Sequence, residues 1–247
     1  MNDADTDSDS ILSHLIELRD RLLRCVLAFL VVFVCFFPWA RDIYTVLAAP
    51  LLSALPAGGQ MIATEVVSPF FVPVKVTMLA ALVAVLPYLL YQFWAFVAPG
   101  LYTKEKNLVL PLIVTSTLLF LVGMAFAFYV VFPVVFHFIT SIAPEGVAVM
   151  TDIQKYLDFV ITLFIAFGLT FEVPIAVVIL TRAGVVDIQT LRDGRPYVIV
   201  GAFVIGAIFT PPDVISQILL AIPLWFLYEA GIFVASWLAK SKDGEIA

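Results

Sequence analysis

Two glutamates beside basic residues are the first side chains of this sequence suited to binding a charged group. Glu17 lies in the segment SILSHLIELRDRLLR, whose apolar residues recur at helical spacing and whose polar face carries His14, Glu17 and Arg21. Glu105 lies in the short basic run KEK. The alternative for Glu17 is an i,i+4 ion pair with Arg21, and the alternative for Glu105 is a solvated loop charge.

A third glutamate, Glu172, lies deep in a long uncharged run that contains FGLTFEVPIAVV. An ionisable group at membrane depth is a functional candidate by default. Burial favours the neutral acid, so the alternative is a neutral carboxyl that hydrogen bonds within a helix bundle and holds it together. Pro174 predicts a kink two residues further on. Gln217 and Glu229 are similar polar positions in a later apolar run.

The cysteines and histidines do not form a metal or catalytic site. Cys25 and Cys35 lie about 15 Å apart on one predicted helix, which is too far for a disulfide. Neither has a second cysteine or histidine at ligand spacing, and the two histidines are His14 and His137. No GxxxxGK[ST], HExxH, Ser/His/Asp or Cys/His grouping is present. The sequence therefore predicts no metal, no cofactor and no enzymatic activity.

The composition indicates that the bilayer is the solvent for most of the chain. Of 247 residues, 63% are hydrophobic and 13% are charged, and the mean hydropathy is +1.09. A soluble domain is roughly 45–50% apolar and about 25% charged. The net charge of -6 excludes a basic nucleic-acid-binding protein. We therefore predict an all-α, polytopic integral membrane protein.

Uncharged runs predict six transmembrane helices. They cover approximately residues 25–40, 76–98, 112–136, 156–180, 197–210 and 214–237. Span five has about fourteen helical residues and rises roughly 21 Å, which is short against a hydrocarbon core of about 30 Å. Asp213 follows the Pro-Pro pair after span five and is a predicted N-cap for span six. The first run is not a cleaved signal peptide, because the head of the chain is acidic.

The basic residues predict that both termini are cytoplasmic. With six spans, ten of the 13 Lys and Arg residues fall on the side of the termini. Residues 1–24 then form a cytoplasmic acidic tail and an amphipathic helix that lies at the interface before the chain turns into the membrane. Residues 25–238 form the membrane domain, and residues 239–247 form a cytoplasmic tail.

Two long loops, 39–74 and 137–155, predict an extracytoplasmic cap. We expect the first loop to be partly helical around Ile43–Leu55. Four prolines are expected to kink it, namely Pro50, Pro56, Pro69 and Pro73.

Six segments form long motifs that follow one another along nearly the whole chain. They are HLIELRDRL (14–22), SPFF (68–71), YQFWAFVAPGLYTKEK (91–106), FGLTFEVP (167–174), RPYVIVGAFVIGAIFTPPDVISQ (195–217) and LLAIPLWFLYE (219–229). Together they strongly resemble the TatC family, the polytopic subunit of the twin-arginine protein translocase. The resemblance implies a glove-shaped bundle of six helices with short spans five and six, in the bacterial cytoplasmic membrane.

The same resemblance implies a receptor for signal peptides that bear an Arg-Arg pair. Such a receptor acts with the single-span partners TatA and TatB, associates with further copies of itself, and uses the proton-motive force to transport folded proteins. It implies that Glu17 and Glu105 meet the arginine pair, because carboxylates accept the guanidinium fork bidentately and lysine cannot copy that geometry. Arg19, Phe96 and Pro99 are assigned to the same signal-peptide site. Other functionally sensitive positions are Pro50, Phe70, Glu172 and Asp213.

Two other functions compete with this interpretation. A proton-coupled solute permease would use Glu172 as its titrating group, but the sequence shows no internal repeat and few polar residues within the spans. An assembly scaffold would need no recognition chemistry. Crosslinks from Glu17 or Glu105 to a twin-arginine precursor would distinguish the receptor from both.

Overall fold

Nearly all of the described chain is helical. The computed structural model describes residues 3–54, 60–101, 109–142, 150–209 and 214–244. The α-helices are α1 (Asp3–Phe36), α2 (Ala40–Ala54), α3 (Ser68–Leu101), α4 (Val109–Phe126), α5 (Phe132–Ile142), α6 (Ile153–Phe171), α7 (Val173–Arg182), α8 (Ile188–Asp193), α9 (Arg195–Phe209) and α10 (Val214–Gly244). A 3-10 turn at Phe37–Trp39 joins α1 to α2, and a π-helical turn at Ala127–Val131 joins α4 to α5. The all-α prediction is confirmed over these ranges.

Five stretches of the described chain are long and apolar enough to cross a membrane, and a sixth is shorter. The long stretches are Ser13–Ser53, Ser68–Phe96, Leu110–Ser141, Ile153–Arg182 and Val214–Ala239. The short one is α9, whose 15 residues rise roughly 22 Å. These helices agree with the predicted six spans and with a short span five. Span six departs from the expectation of shortness, because α10 continues through Pro223 and its apolar stretch has 26 residues.

The first helix is longer than the sequence analysis predicted. An interfacial helix was expected to end before span one, whereas α1 runs unbroken from Asp3 to Phe36. No glycine or proline lies between Ser10 and Phe36 to interrupt it. The helix ends where Pro38 enters the 3-10 turn. The helix predicted around Ile43–Leu55 is confirmed by α2.

Three of the four prolines expected to kink the first long loop lie within helices, so their predicted kinks stay predictions. Pro50 lies inside α2, which continues beyond it. Pro69 lies in the first turn of α3, where its missing N–H has no helical acceptor to lose, and Pro73 lies in the second turn. Pro56 lies outside the described residues.

The core is centred on α6, which packs against α3, α4 and α10. Its buried face carries Leu157, Val160, Leu163 and Phe167, which are fully shielded from solvent. Their spacing places them along one side of the helix. The sequence predicted a kink at Pro174, and the helix is interrupted just before it, because α6 ends at Phe171 and α7 begins at Val173.

Two glycines allow α4 and α6 to approach closely. A Cβ atom at Gly123 would lie 2.5 Å from the carbonyl oxygen of Phe167, and one at Gly168 would overlap the ring of Phe120. Inside a bilayer there is no hydrophobic drive between helices, so close packing through small residues contributes much of their association. These glycines therefore set the separation of the central helix pair.

The two long loops meet at the start of α6. The Ile62 N–H donates to the Thr151 carbonyl at 3.0 Å, and the Ile153 N–H donates to the Ile62 carbonyl at 2.9 Å. The result is a short parallel bridge between residues far apart in the sequence. The described parts of the predicted cap are thus hydrogen bonded to each other.

Asp152 reinforces this junction. One carboxylate oxygen accepts hydrogen bonds from the Thr64 hydroxyl and backbone N–H, at 2.6 and 2.9 Å. The other caps α6 by accepting from the N–H groups of Gln154 and Lys155. The Thr64 hydroxyl contributes most to holding the pKa of Asp152 well below its usual range, followed by the backbone donors.

Candidate functional site

The packing of α1 along α3 brings Glu17 close to a polar side chain on α3 that the sequence analysis did not single out. This side chain is Gln92, which is only 5% exposed. Its amide oxygen accepts a hydrogen bond from Arg21 Nη1 at 3.1 Å, and its amide nitrogen donates to the Tyr88 hydroxyl at 2.7 Å. Glu17, Arg21, Gln92 and Tyr88 therefore form one connected polar group between two helices.

Glu17 forms the ion pair with Arg21 that was the alternative to a binding role. Arg21 Nε and Nη2 both donate to Glu17 Oε1, at 2.9 and 2.6 Å. The Glu17 side chain is 40% exposed and that of Arg21 is 21% exposed. An ion pair that is this accessible stabilises a protein by about 0.2–1 kcal/mol. The pair therefore orients the carboxylate without contributing much to the free energy of folding.

His14 connects the carboxylate to Phe96, another predicted site residue. The two rings stack with centroids 4.7 Å apart and an interplanar angle of 27°. On its other side, His14 Nδ1 lies 3.9 Å from Glu17 Oε2. The structure thus brings Phe96, on α3, to the neighbourhood of Glu17, on α1.

Arg19 is directed away from this group. Its side chain is 67% exposed, and its guanidinium donates to Asp20 Oδ1 at 2.8 and 3.0 Å. A residue two positions from Glu17 on a helix lies on a different face. Arg19 is therefore near Glu17 in sequence but pairs with a different carboxylate.

Three predicted residues have side chains outside the described part of the chain. Glu105 and Asp213 lie wholly outside the described residues, so the pairing of Glu105 with Glu17 stays a prediction. The N-cap role of Asp213 also stays a prediction, although α10 begins at the next residue, Val214. Pro99 lies in the last turns of α3, where only the backbone is described.

Pro50 and Phe70 lie far from Glu17. Phe70 is in the first turn of α3 and Phe96 is near its end, a separation of roughly 39 Å along the helix axis. Phe70 is exposed, and its ring packs edge-on against Phe71 with centroids 5.4 Å apart. The half-buried Pro50 accepts a hydrogen bond from the Ser53 hydroxyl at its carbonyl oxygen. These two residues therefore belong to the opposite end of the helices.

Glu172 lies at the junction of α6 and α7, as the sequence predicted for a carboxyl deep in span four. The Ser116 hydroxyl on α4 lies within hydrogen-bonding reach of it and also accepts from the indole N–H of Trp94 on α3 at 3.2 Å. The Glu172 Oε1 atom is buried and has no hydrogen-bond partner in the described part of the chain. Glu172 thus lies beside the Trp94–Ser116 hydrogen bond that links α3 to α4, while its Oε1 has no partner among the described residues.

Gln217 and Glu229, the polar positions singled out in span six, have structural partners. Glu229 forms a two-pronged ion pair with Arg195, at 2.6 Å from Nε and 2.7 Å from Nη2, which ties α10 to the start of α9. Gln217 donates to the Phe203 carbonyl at 2.8 Å and packs against Gly206. Both residues link α9 to α10.

One feature of the sequence could have identified Gln92 as part of the site. It is a lone amide in an otherwise apolar run, one helical turn after Tyr88. Polar side chains at such positions generally face another helix or a site, because lipid cannot satisfy them. Its partner on α1 could not be identified without knowing how α1 packs on α3.

Comparison with known proteins gives a consistent result. The family model described as Sec-independent protein translocase protein (TatC) matches residues 13–223. The chain is 52% identical to the Sec-independent protein translocase protein TatC of Escherichia coli (strain K12), covering 97% of this chain and 93% of that protein. It is 55% identical to the protein of the same name from Azotobacter chroococcum, covering 97% and 94%.

The fold agrees with solved structures as well. A crystal structure of the twin arginine translocase receptor TatC superposes with a TM-score of 0.80 at 38% identity, covering 91% of this chain and 98% of that one. A second crystal structure of that receptor, in DDM, also has a TM-score of 0.80. The solute permease alternative finds no support in these comparisons, and the matching family is a translocase component rather than an enzyme. The chain therefore belongs to the TatC family of Sec-independent protein translocase proteins.

Proposed function

We propose that this protein is the receptor that binds the arginine pair of twin-arginine signal peptides. The observation that carries the proposal is that Glu17 already binds a guanidinium group, that of Arg21, through two N–H donors. A carboxylate that is half accessible and positioned for a guanidinium is the chemistry that an arginine of a signal peptide requires. The crystal structures with this fold are of a twin arginine translocase receptor.

The proposed site extends along α3 from Glu17. Two adjacent arginines present ten N–H donors between them, so one carboxylate cannot satisfy the pair. We assign the second carboxylate to Glu105. Phe96 and Pro99 on α3 form the apolar part of the site, and Arg19 borders it.

The setting of this receptor also belongs to the proposal. We infer that it lies in the bacterial cytoplasmic membrane with both termini in the cytoplasm, which is supported by the position of ten of the 13 basic residues. It acts with TatA and TatB and with further copies of itself, and it uses the proton-motive force to move folded proteins. Pro50, Phe70, Glu172 and Asp213 are proposed to affect these later steps.

A crosslinking experiment tests the receptor. Photo-reactive residues at position 17 or 105 of the full chain, in membrane vesicles, should give adducts with a precursor that bears Arg-Arg. The adducts should be lost when the pair is replaced by Lys-Lys, since an ammonium cannot copy the fork. A photo-reactive residue at exposed Tyr129 provides the control position. Equal adducts with both precursors would refute recognition of arginine at this site.

The orientation has a separate test. After Cys25 and Cys35 are changed to serine, the variant Glu145→Cys should react with a membrane-impermeant thiol reagent added to the extracytoplasmic side of intact cells. A single cysteine at Arg192 should react only after the membrane is opened. The reverse pattern would invert the topology without affecting the assignment to the family.

A further inference from the structure

The carboxylate of the proposed receptor site is already occupied by a group of the same chemistry as its ligand. Glu17 Oε1 accepts two hydrogen bonds from Arg21, which uses both of that oxygen's acceptor positions. Glu17 Oε2 lies 3.9 Å from His14 Nδ1, beyond hydrogen-bonding distance. A signal arginine that binds both carboxylate oxygens therefore competes with Arg21 for Oε1.

Arg21 has a second acceptor that can hold it when it leaves Glu17. Its Nη1 already donates to Gln92 Oε1 at 3.1 Å. The Gln92 amide is fixed in this orientation, because its nitrogen donates to the Tyr88 hydroxyl and its oxygen therefore faces Arg21. Gln92 is buried and bonded to Tyr88 on the same helix, so this acceptor is in place before a ligand binds.

We propose that Arg21 is a resident competitor that limits the affinity of the site, and that the arginine pair of a signal peptide displaces it from Glu17 towards Gln92. This inference rests on the proposed function and adds an affinity-setting residue to it. Arg21 places a positive charge beside a site for a positively charged ligand, so it lowers the affinity for that ligand. A receptor that must release its signal peptide after transport gains from such a limit.

The decisive comparison is between Arg21→Gln and Gln92→Leu, which should change the affinity for the signal peptide in opposite directions. Arg21→Gln frees Glu17, so we expect tighter binding, by roughly two- to fivefold for an ion pair that is partly exposed. Gln92→Leu removes the alternative acceptor and keeps Arg21 on Glu17, so we expect binding weaker by a similar factor. A role limited to holding α1 against α3 would weaken binding in both variants.

The experiment uses the full chain in lipid nanodiscs and a fluorescent synthetic peptide with Arg-Arg followed by an apolar stretch. Binding is measured by anisotropy, and each variant is first shown to melt cooperatively. Arg24→Gln is the control for net charge, because Arg24 is an exposed arginine on the same helix, one turn beyond Arg21 and two turns beyond Glu17. It should change the affinity less than Arg21→Gln does.

The Glu17→Gln background separates the possible outcomes. In that background, Arg21→Gln and Gln92→Leu should both lose their effects, because there is no carboxylate left to compete for. If Arg21→Gln does not fold, the loss of the Gln92→Leu effect in this background still tests the proposal. Persistence of either effect, or weaker binding by a folded Arg21→Gln protein, would overturn it.

Failure of the receptor itself would look different. If the wild-type protein and Glu17→Gln bind Arg-Arg and Lys-Lys peptides equally, the proposed function fails and this inference fails with it. If Glu17→Gln abolishes the preference for Arg-Arg but Arg21→Gln does not tighten binding, only the competitor role is refuted.

Discussion

Replacing Gly123 by alanine tests whether glycine sets the distance between α4 and α6. The new Cβ atom would lie 2.5 Å from the Phe167 carbonyl oxygen, 3.0 Å from its carbonyl carbon and 3.0 Å from the Phe171 ring. The first separation is about 1 Å less than an ordinary van der Waals contact. Because the obstacle is backbone, no side-chain rotation relieves it, and α4 must move away from α6.

The expected cost follows from a matched control. At Gly201 in α9, a Cβ atom would meet no atom of another described part of the chain within 4 Å, so Gly201→Ala adds a methyl group without a clash there. Both substitutions gain the helix propensity of alanine, about 0.8–1 kcal/mol, so their difference isolates the steric cost. Overpacking of this kind costs about 1–3 kcal/mol. For a chain of this size that corresponds to roughly 2–12 °C in the midpoint of thermal unfolding.

The assay is the temperature at which half of the detergent-solubilised protein stays monodisperse after a fixed heating time. This measure is suitable because heated membrane proteins unfold irreversibly. Gly123→Ala should fall below Gly201→Ala, and Gly201→Ala should equal or exceed the wild-type protein. Equal midpoints for the two variants would mean that the helices separate at no cost, and the close-approach argument would be wrong.

Three further predictions concern carboxylates. The pKa of Asp152 is lowered in the folded protein, so its carboxylate stabilises the fold above the ordinary pKa of 3.8 and loses this contribution as the pH falls below that value. The melting temperature of Asp152→Asn should therefore drop less between pH 5 and pH 3 than that of the wild-type protein. Glu172→Gln should accumulate and transport nearly normally, whereas Glu172→Lys should accumulate poorly, since a cation at this depth costs about 2.5–3.5 kcal/mol; loss of transport by an accumulated Gln variant would show that titration is required. Glu229→Gln and Arg195→Lys should each lower the free energy of unfolding by about 1 kcal/mol or less, because both lose the two-pronged ion pair at a partly exposed site. A larger decrease, measured by thermal unfolding of either variant, would show that the pair is effectively buried.

The number of apolar spans could be predicted from the sequence because the bilayer fixes the length of an apolar run. A disturbance of the helix near Pro174 was predictable for a local reason, since proline removes a helical hydrogen bond. The continuity of α1 was missed because polarity changes at Arg24 while the backbone meets no breaker until Pro38. A change in polarity marks where the environment changes, and it does not mark where a helix ends.

The site was predictable in part for a different reason. Motif resemblance identified Glu17 and Phe96, and the structure places them within one group through His14. The role of Gln92 depends on the register between α1 and α3, because its partner Arg21 lies 71 residues away in the chain. Register across a helix pair is a property of packing, and no periodicity within either segment contains it.

The polar group near Glu17 both holds α1 against α3 and occupies the carboxylate of the proposed site. α1 packs chiefly along α3, and most of its large apolar side chains are exposed to the surroundings. Apolar contact alone does not fix a helix in lipid, because lipid tails are as apolar as leucine. The Arg21–Gln92 hydrogen bond and the His14–Phe96 stack are therefore well suited to position this part of α1 on α3. The same arginine neutralises the carboxylate that a signal peptide would bind, so whatever displaces Arg21 from Glu17 also changes how α1 is held against α3.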